Sequence, residues 1–173
     1  MDTLIGLIYD SVLDKSLSLA AIDEMRRMLG ATGAWVMAPS PDGVTFDARI
    51  GISEQDADSY ARDFHGADPL FQAHLANPAG STNIAVRDTD LVTEAEWTGS
   101  AIYRALCVPA DIGHLLTTVL DPGEGAPSRV LTFARPPHAP QFSDQDRALY
   151  QAAIPHLLRA GRLRHAFAER LAR

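Results

Sequence analysis

Apolar and polar positions alternate along the chain in patterns that predict amphipathic helices and short strands. Apolar residues recur every three or four positions over residues 4–12 and 18–29, which is typical of helices that bury one face. Gly30 follows the second of these helices, where a left-handed residue commonly ends one. Residues 34–38 are a short apolar strand candidate, and a Ser-Pro-Asp-Gly turn links them to residues 44–50, so the pair predicts a β-hairpin.

A proline divides the next stretch into two helices. Residues 53–64 carry apolar side chains at helical spacing, and this helix must end near Asp68, because the residue before a proline avoids the helical region. Pro69 suits the first turn of a further helix, residues 70–76, with Asp68 as its N-cap. Residues 81–86 predict a short strand.

The helix and strand that come next indicate one wall of an internal cavity. Thr93 and Glu96 form a capping box that starts a helix over residues 97–106, and Pro109 stops this helix. Residues 112–120 then predict a core strand. A helix with bulky aromatic side chains that leads directly into a core strand can enclose a ligand, but it carries no catalytic motif.

The C-terminal part of the chain predicts a strand and one long helix. Residues 129–134 are the last strand, and a helix runs from Asp144 to about Leu171 with Pro155 inside it. Proline removes a backbone hydrogen bond, so we expect a kink that turns the helix away from its own domain. An apolar stripe continues beyond the proline and predicts a homodimer that buries Leu157, Ala160, Leu163, Phe167 and Leu171.

This order of elements predicts an α+β fold that resembles PAS and GAF sensory domains. Helices flank one antiparallel sheet, and a long helix ends the chain. The 173 residues suit a single domain with a substantial core. Hydrophobic residues make up 46% and charged residues 21% of the chain, so we expect no large disordered segment.

Charge and composition exclude several function classes. The net charge of −7 argues against a broad nucleic-acid-binding surface on this chain. Residues 155–173 hold five arginines and one glutamate, which either contact DNA or form a solvated helix end beside its negative pole. No apolar run is long enough to span a membrane, and the acidic N-terminus does not resemble an export signal, so we expect a cytoplasmic protein.

Candidate chemistry is sparse, and we expect no enzyme activity, no metal and no cofactor. The six histidines are spread over different elements, without the spacing of a metal site. Cys107, the only cysteine, is either a redox-active thiol, a haem ligand together with His114, or a small buried hydrophobe. The sequence contains no glycine-rich phosphate loop, nucleophile elbow or paired-carboxylate motif.

Four stretches carry a resemblance to a known family: IYDSVLD, YARDFHGADPL, EWTGSAIYRALCVPADIGHLL and FSDQDRALYQAAIPHLLRAGRL. Together they resemble the N-terminal sensory region of LuxR-type bacterial transcriptional regulators, over essentially the whole chain. The resemblance implies a non-enzymatic domain that senses a small molecule and controls transcription. It also implies a LuxR-type helix-turn-helix domain downstream of residue 173, outside this chain, that would make the contacts with DNA. Either the chain is the sensor part of such a regulator, or the protein acts without a DNA-binding domain of its own.

A more distant resemblance is to the acyl-homoserine-lactone-binding domains of quorum-sensing regulators. It rests on Tyr60, on Asp68 with the proline that follows it, and on residues 107–113. The sequence departs from that family in two places, since no tryptophan stands shortly before Tyr60 and none follows Asp68 at close range. These departures put lactone recognition, but not a sensor pocket, in question.

We expect a small apolar or amphipathic ligand between the sheet and the helices of residues 53–106. Asp68 is either a hydrogen-bond partner of that ligand or only a helix cap, and Trp97 and Tyr103 are either pocket walls or core packing. The competing hypothesis is a filled core in a module that serves only to dimerise an attached output domain. The residues predicted to line the pocket are Tyr60, Phe64, Asp68, Trp97, Tyr103 and His114.

Overall fold

The computed structural model describes all residues, 1–173, as seven α-helices and five strands. The helices are α1 (Asp2–Asp10), α2 (Ser16–Met28), α3 (Glu54–Ser59), α4 (Pro69–Ala76), α5 (Asp88–Leu91), α6 (Glu94–Gly99) and α7 (Asp144–Leu171). The strands are β1 (Gly33–Ser40), β2 (Gly43–Ile50), β3 (Val86–Arg87), β4 (His114–Leu120) and β5 (Arg129–Arg135). Two π-helical turns, Tyr60–Phe64 and Tyr103–Cys107, lie between β2 and β4.

The five strands form one sheet in the order β2-β1-β5-β4-β3. Every neighbouring pair is antiparallel, and the β1–β2 and β4–β5 pairs are hairpins. Helices flank this sheet, and the long helix α7 ends the chain. The structure therefore confirms the predicted α+β class.

Side-chain alternation gives the sheet two apolar faces. On one face, Leu116, Leu131 and Phe133 pack against α1, α2 and α7. Tyr150 of α7 is fully buried there, and its hydroxyl donates to the backbone oxygen of Leu131 at 2.8 Å. On the other face, Leu115 packs with residues of the segment between β2 and β4. The two hydrophobic clusters therefore lie on opposite sides of the sheet.

Helix ends follow the signals that the sequence carries for them. Asp68, Thr93 and Ser143 each accept a hydrogen bond from a backbone N–H of the helix that they cap. Gly30 has a φ of +58°, the left-handed conformation predicted after α2. Local side-chain chemistry thus fixes where these helices begin and end.

The helix predicted over residues 97–106 is interrupted in the structure. Ser100 has an extended backbone with ψ of 153°, so α6 ends at the residue before it. The Ser100 hydroxyl donates to the backbone oxygen of Trp97 and accepts from the backbone N–H of Tyr103. A serine that bonds nearby backbone in this way competes with helix formation, and the chain resumes afterwards as a π-helical turn.

The strand predicted over residues 81–86 shortens to β3. Asn83 adopts a φ of +57°, a left-handed conformation that interrupts a strand. Its side chain instead bonds the backbone N–H and carbonyl of Asp121, just beyond β4. The four-residue helix α5 follows β3 at once and is too short to show a helical period, so the sequence pattern did not predict it.

Helix α7 continues through Pro155 and stays on its own domain, which differs from the expected turn away from it. Pro155 has no N–H to donate to the carbonyl of Gln151, and both residues are exposed. Beyond it, Leu157 packs against the core and Ala160 is buried. The part of the predicted dimer stripe that reaches solvent is Leu163, Phe167 and Leu171, which are 39%, 43% and 88% exposed.

Candidate functional site

A cavity of about 400 Å³ lies on the face of the sheet opposite α1, α2 and α7. Strands β1, β4 and β5 form its floor, and α4, α6 and the π-helical turns cover it. Of its 27 lining residues, 16 are hydrophobic. Its size lies within the roughly 300–1,000 Å³ of small-molecule pockets, and its lining suits a mainly apolar ligand.

Both tryptophans of the chain line this cavity. Trp35 projects from β1 and Trp97 from α6, and both are buried. The Trp97 indole N–H donates to the backbone oxygen of Gly113 at 3.1 Å. Gly113 tolerates no side chain, because a Cβ atom there would lie 2.3 Å from Pro137 Cα. The Gly113 backbone therefore fixes the orientation of the Trp97 ring in the cavity wall.

Tyr60 and Asp68 form a hydrogen-bonded pair in the cavity wall. The Tyr60 hydroxyl donates to Asp68 Oδ2 at 2.8 Å, and Asp68 Oδ1 accepts from the backbone N–H of Leu70 at 2.9 Å. The π-helical turn that begins at Tyr60 and the Asp-Pro step that starts α4 bring the two side chains together. One carboxylate thus caps α4 and holds the tyrosine, and both residues are 8% exposed.

Burial alters the protonation of the groups around this pair. It raises the pKa of Asp68 above its usual 3.8, against the opposing hydrogen bonds from Tyr60 and the start of α4. Burial also raises the pKa of the Cys107 thiol to about 12, and the Asp68 charge adds to this effect. Cys107 is therefore protonated at neutral pH and acts as a small wall residue.

A second polar pair, His74 and Ser81, also lines the cavity. His74 Nδ1 lies 2.6 Å from Ser81 Oγ. Burial lowers the pKa of His74, which favours the neutral imidazole. The loop of residues 77–80 brings the two side chains together, and because it carries no characteristic motif, the sequence did not predict this pair.

Two threonines add a polar strip to the cavity floor. Thr117 on β4 and Thr132 on β5 are cross-strand partners, and their hydroxyl oxygens lie 2.8 Å apart. Both strands were predicted, but the register that places these side chains opposite each other was not. That register follows from the pairing of the whole β4–β5 hairpin, which a pattern within one strand does not contain.

Asp88 is a buried carboxylate that fastens the cavity cover to its floor. It is 1% exposed, and it accepts hydrogen bonds from the backbone N–H groups of Thr89 and Leu115 and from the Gln141 amide. Burial raises its pKa, while these hydrogen bonds act in the opposite direction. Asp88 therefore ties α5 to β4 and to the loop before α7.

The structure brings half of the predicted ligand-binding residues to the cavity, namely Tyr60, Asp68 and Trp97. The others, Phe64, Tyr103 and His114, do not line it. Tyr103 packs on Trp97 with ring centroids 5.4 Å apart, and Phe64 packs against the surrounding apolar cluster.

His114 is the first residue of β4, next to the cavity-facing Leu115, so alternation directs its side chain to the other face. Of the two candidate haem ligands, Cys107 lines the cavity and His114 does not. No group of three or more His, Cys, Asp or Glu side chains is placed to hold a metal ion. None of the helices has the length and apolar character needed to cross a membrane.

No protein-family model and no curated protein matches the sequence. Solved structures do match it. The VqsR LBD domain from Pseudomonas aeruginosa superposes with a TM-score of 0.71 at 14% identity, and the match covers 96% of both chains. The phycoerythrobilin-bound GAF domain from a cyanobacterial phytochrome gives a TM-score of 0.64 at 13% identity, over 96% of this chain and 97% of that one.

A third similar structure is SdiA, an Escherichia coli protein, in complex with octanoyl-rac-glycerol. It superposes with a TM-score of 0.55 at 18% identity, and the match covers 87% of this chain and 59% of the SdiA chain. Identities this low establish a shared fold rather than a shared activity. The chain therefore has the antiparallel α+β fold of GAF-like domains.

Proposed function

We propose that this chain is a non-enzymatic sensory domain that binds one small, largely apolar ligand beside Trp35 and Trp97. The observation that carries the proposal is the cavity of about 400 Å³ that the side chains leave within one of the two hydrophobic clusters. A domain that only had to fold and dimerise would gain free energy by filling that volume, because cavities destabilise a core. The cavity therefore favours a sensor over a filled dimerisation module.

The cavity lining favours a neutral ligand with an apolar chain and a hydroxyl or amide head. An anionic head beside Asp68 would be repelled in surroundings of low dielectric constant, and Arg129, which also lines the cavity, is already paired with Asp47. The hydroxyls of Thr117 and Thr132 and the pair of His74 and Ser81 offer neutral hydrogen-bond partners. Octanoyl-rac-glycerol, which the structurally similar SdiA holds, has this chemistry.

We place this sensor in a LuxR-type transcriptional regulator of the cytoplasm. The sequence resemblance supports this context, and so does the fold shared with the VqsR and SdiA structures. DNA contact would then come from a helix-turn-helix domain downstream of residue 173. The exposed stripe of α7 would pair with the same stripe of a second copy, giving a homodimer.

Contacts between α5 and α7 offer a route from the cavity to the dimer helix. Leu91 of α5 lines the cavity, and Arg87 at the start of α5 pairs with Asp144 at the start of α7 at 3.1 Å. Asp90 of α5 lies 3.6 Å from Arg147 of α7. A ligand that displaces Leu91 would therefore shift charges that position the first turn of α7.

Native mass spectrometry of freshly purified protein, with and without added 1-octanoyl-rac-glycerol, tests the proposal. We expect a stoichiometric adduct in the wild type. The adduct should be lost in Thr117→Phe, which fills the cavity from its floor, and kept in the matched control Thr45→Phe, at an exposed position of β2. A wild type that forms no adduct, or an adduct that survives Thr117→Phe, would count against a ligand in this cavity.

A further inference from the structure

A second cavity, of about 340 Å³, lies on the opposite face of the sheet. It is bounded by α1, α2, α7 and the connection between β4 and β5, and Arg129 is its only residue shared with the first cavity. Its apolar lining includes Leu4, Ile8, Met25 and Leu131. This cavity is separate from the one proposed to hold the sensed ligand.

The charged side chains that line this second cavity are all basic: Lys15, Arg129 and Arg164. No carboxylate lines it, although the chain as a whole carries a net charge of −7. The excess of positive charge is therefore local to the second cavity, whereas the chain as a whole is negatively charged. Because Asp47 pairs with Arg129, the positive potential of the cavity comes from Lys15 and Arg164.

Arg164 places its guanidinium within the second cavity without any carboxylate partner. Its Nη2 donates to the hydroxyl of the buried Ser11 at 3.0 Å and lies 3.5 Å from the Ser18 hydroxyl, while its Nε is buried with no hydrogen-bond partner. Burial, followed by the charge of Arg129, lowers the pKa of Arg164. A half-buried cation with only neutral partners is costly, and an anion would complete its hydrogen bonds.

We propose that this second cavity binds an aliphatic monocarboxylate, with its carboxylate on Arg164 and its chain among the apolar residues of α1, α2 and β5. A guanidinium presents a planar fork of donors that matches a carboxylate. Lys15, which is exposed at the same cavity, adds attraction for the anion. The two faces of the sheet would then take ligands of different charge, neutral at Trp97 and anionic at Arg164.

Isothermal titration calorimetry of the full chain with octanoate and with 1-octanol tests this site. Arg164→Gln should weaken octanoate binding by roughly tenfold or more, the loss expected for one charge-assisted pair. It should leave any 1-octanol binding unchanged, because that ligand carries no charge. Arg159→Gln, at an exposed position of the same helix, should bind octanoate like the wild type.

A second pair of variants keeps the test decisive if Arg164→Gln folds poorly. Ala168→Trp obstructs the cavity from an exposed position of α7 and should abolish octanoate binding, whereas the control Ala166→Trp should not. Thr117→Phe, which fills the first cavity, should also leave octanoate binding intact. The proposal is overturned if the wild type does not bind octanoate, if Arg164→Gln and Ala168→Trp bind it normally, or if Thr117→Phe abolishes binding.

Discussion

Asp68 connects two elements through one carboxylate, which caps α4 and accepts from Tyr60. Asp68→Ala should lower the free energy of unfolding by about 1.5–5 kcal/mol, because a lost cap costs about 0.5–2 and an unpaired buried hydroxyl about 1–3 kcal/mol. Asp68→Asn keeps an oxygen for the cap and an amide for the tyrosine, so it should lose much less. Urea denaturation of the two variants checks this, and equal losses would contradict the two-contact role.

The same carboxylate gives stability a pH dependence of defined sign. The pKa of Asp68 in the folded chain lies above its unfolded value of 3.8, so folding favours the protonated form. Its contribution to stability is complete below pH 3.8 and is lost as pH rises through the raised pKa. Asp68→Asn should therefore gain stability relative to the wild type as pH rises through that interval. Urea curves at successive pH values measure this, and a constant difference would argue against it.

Cys107 should be unreactive in the folded chain. Burial raises its pKa from 9.0 to about 12, which lowers the thiolate fraction at pH 8 by on the order of a thousandfold. Ellman's reagent should therefore modify the native protein far more slowly than the urea-unfolded protein. Equal rates in the two states would show an exposed thiolate and would revive a redox role for this residue.

The sequence could predict a site residue only where the pattern that places it lies close by in the chain. Asp68 immediately precedes a proline, and Trp97 lies in a helix that begins with a capping box, so local sequence patterns located both residues. Thr117 and His74 reach the cavity through strand register and through the loop of residues 77–80, and neither has a local signature. Tyr103 was placed in the wall by the helical period, but the break at Ser100 moves it behind Trp97.

At the scale of elements, Pro155 lies at an exposed position in the interior of α7. Proline is about 3 kcal/mol less favourable than alanine in a helix interior. Because α7 continues through this position, Pro155→Ala should raise the free energy of unfolding by about 1–3 kcal/mol. Chemical denaturation measures the change, and a loss of stability would mean that the proline sets a backbone geometry the domain needs.

The sequence predicted well those helices and strands whose hydrophobic repeat or capping residues lie within a single segment of the chain. The β1–β2 hairpin and α7 belong to this group, since the turn signal and the Ser143 capping box are local. Helix α5 was missed, because four residues are too few to show a period. The two π-helical turns fall largely within stretches that were predicted as helix, but their π geometry was not predicted. The residues after Pro155 were expected to leave the domain, but packing of Leu157 against the core holds them in place.

At the scale of the whole molecule, the exposed end of α7 predicts a dimer. Phe167 lies between Leu163 and Leu171 on the stripe, and burying a Phe side chain contributes roughly 1.5–3 kcal/mol. Phe167→Asp would place a charge in the seam of both copies, so sedimentation should show a dimer for the wild type and a monomer for the variant. Ala166→Asp adds the same charge off the stripe and should remain dimeric. A monomeric wild type at micromolar concentration would rule out this interface.

The most direct test of ligand binding beside Trp35 and Trp97 is a titration with N-phenyl-1-naphthylamine, a neutral apolar dye. Both tryptophans line the cavity, so a bound dye should receive energy from them and fluoresce when tryptophan is excited. We predict saturable binding by the wild type and by Thr45→Phe, and none by Thr117→Phe. Absence of saturable binding in the wild type, or equal binding by Thr117→Phe, would contradict a ligand cavity on this face of the sheet.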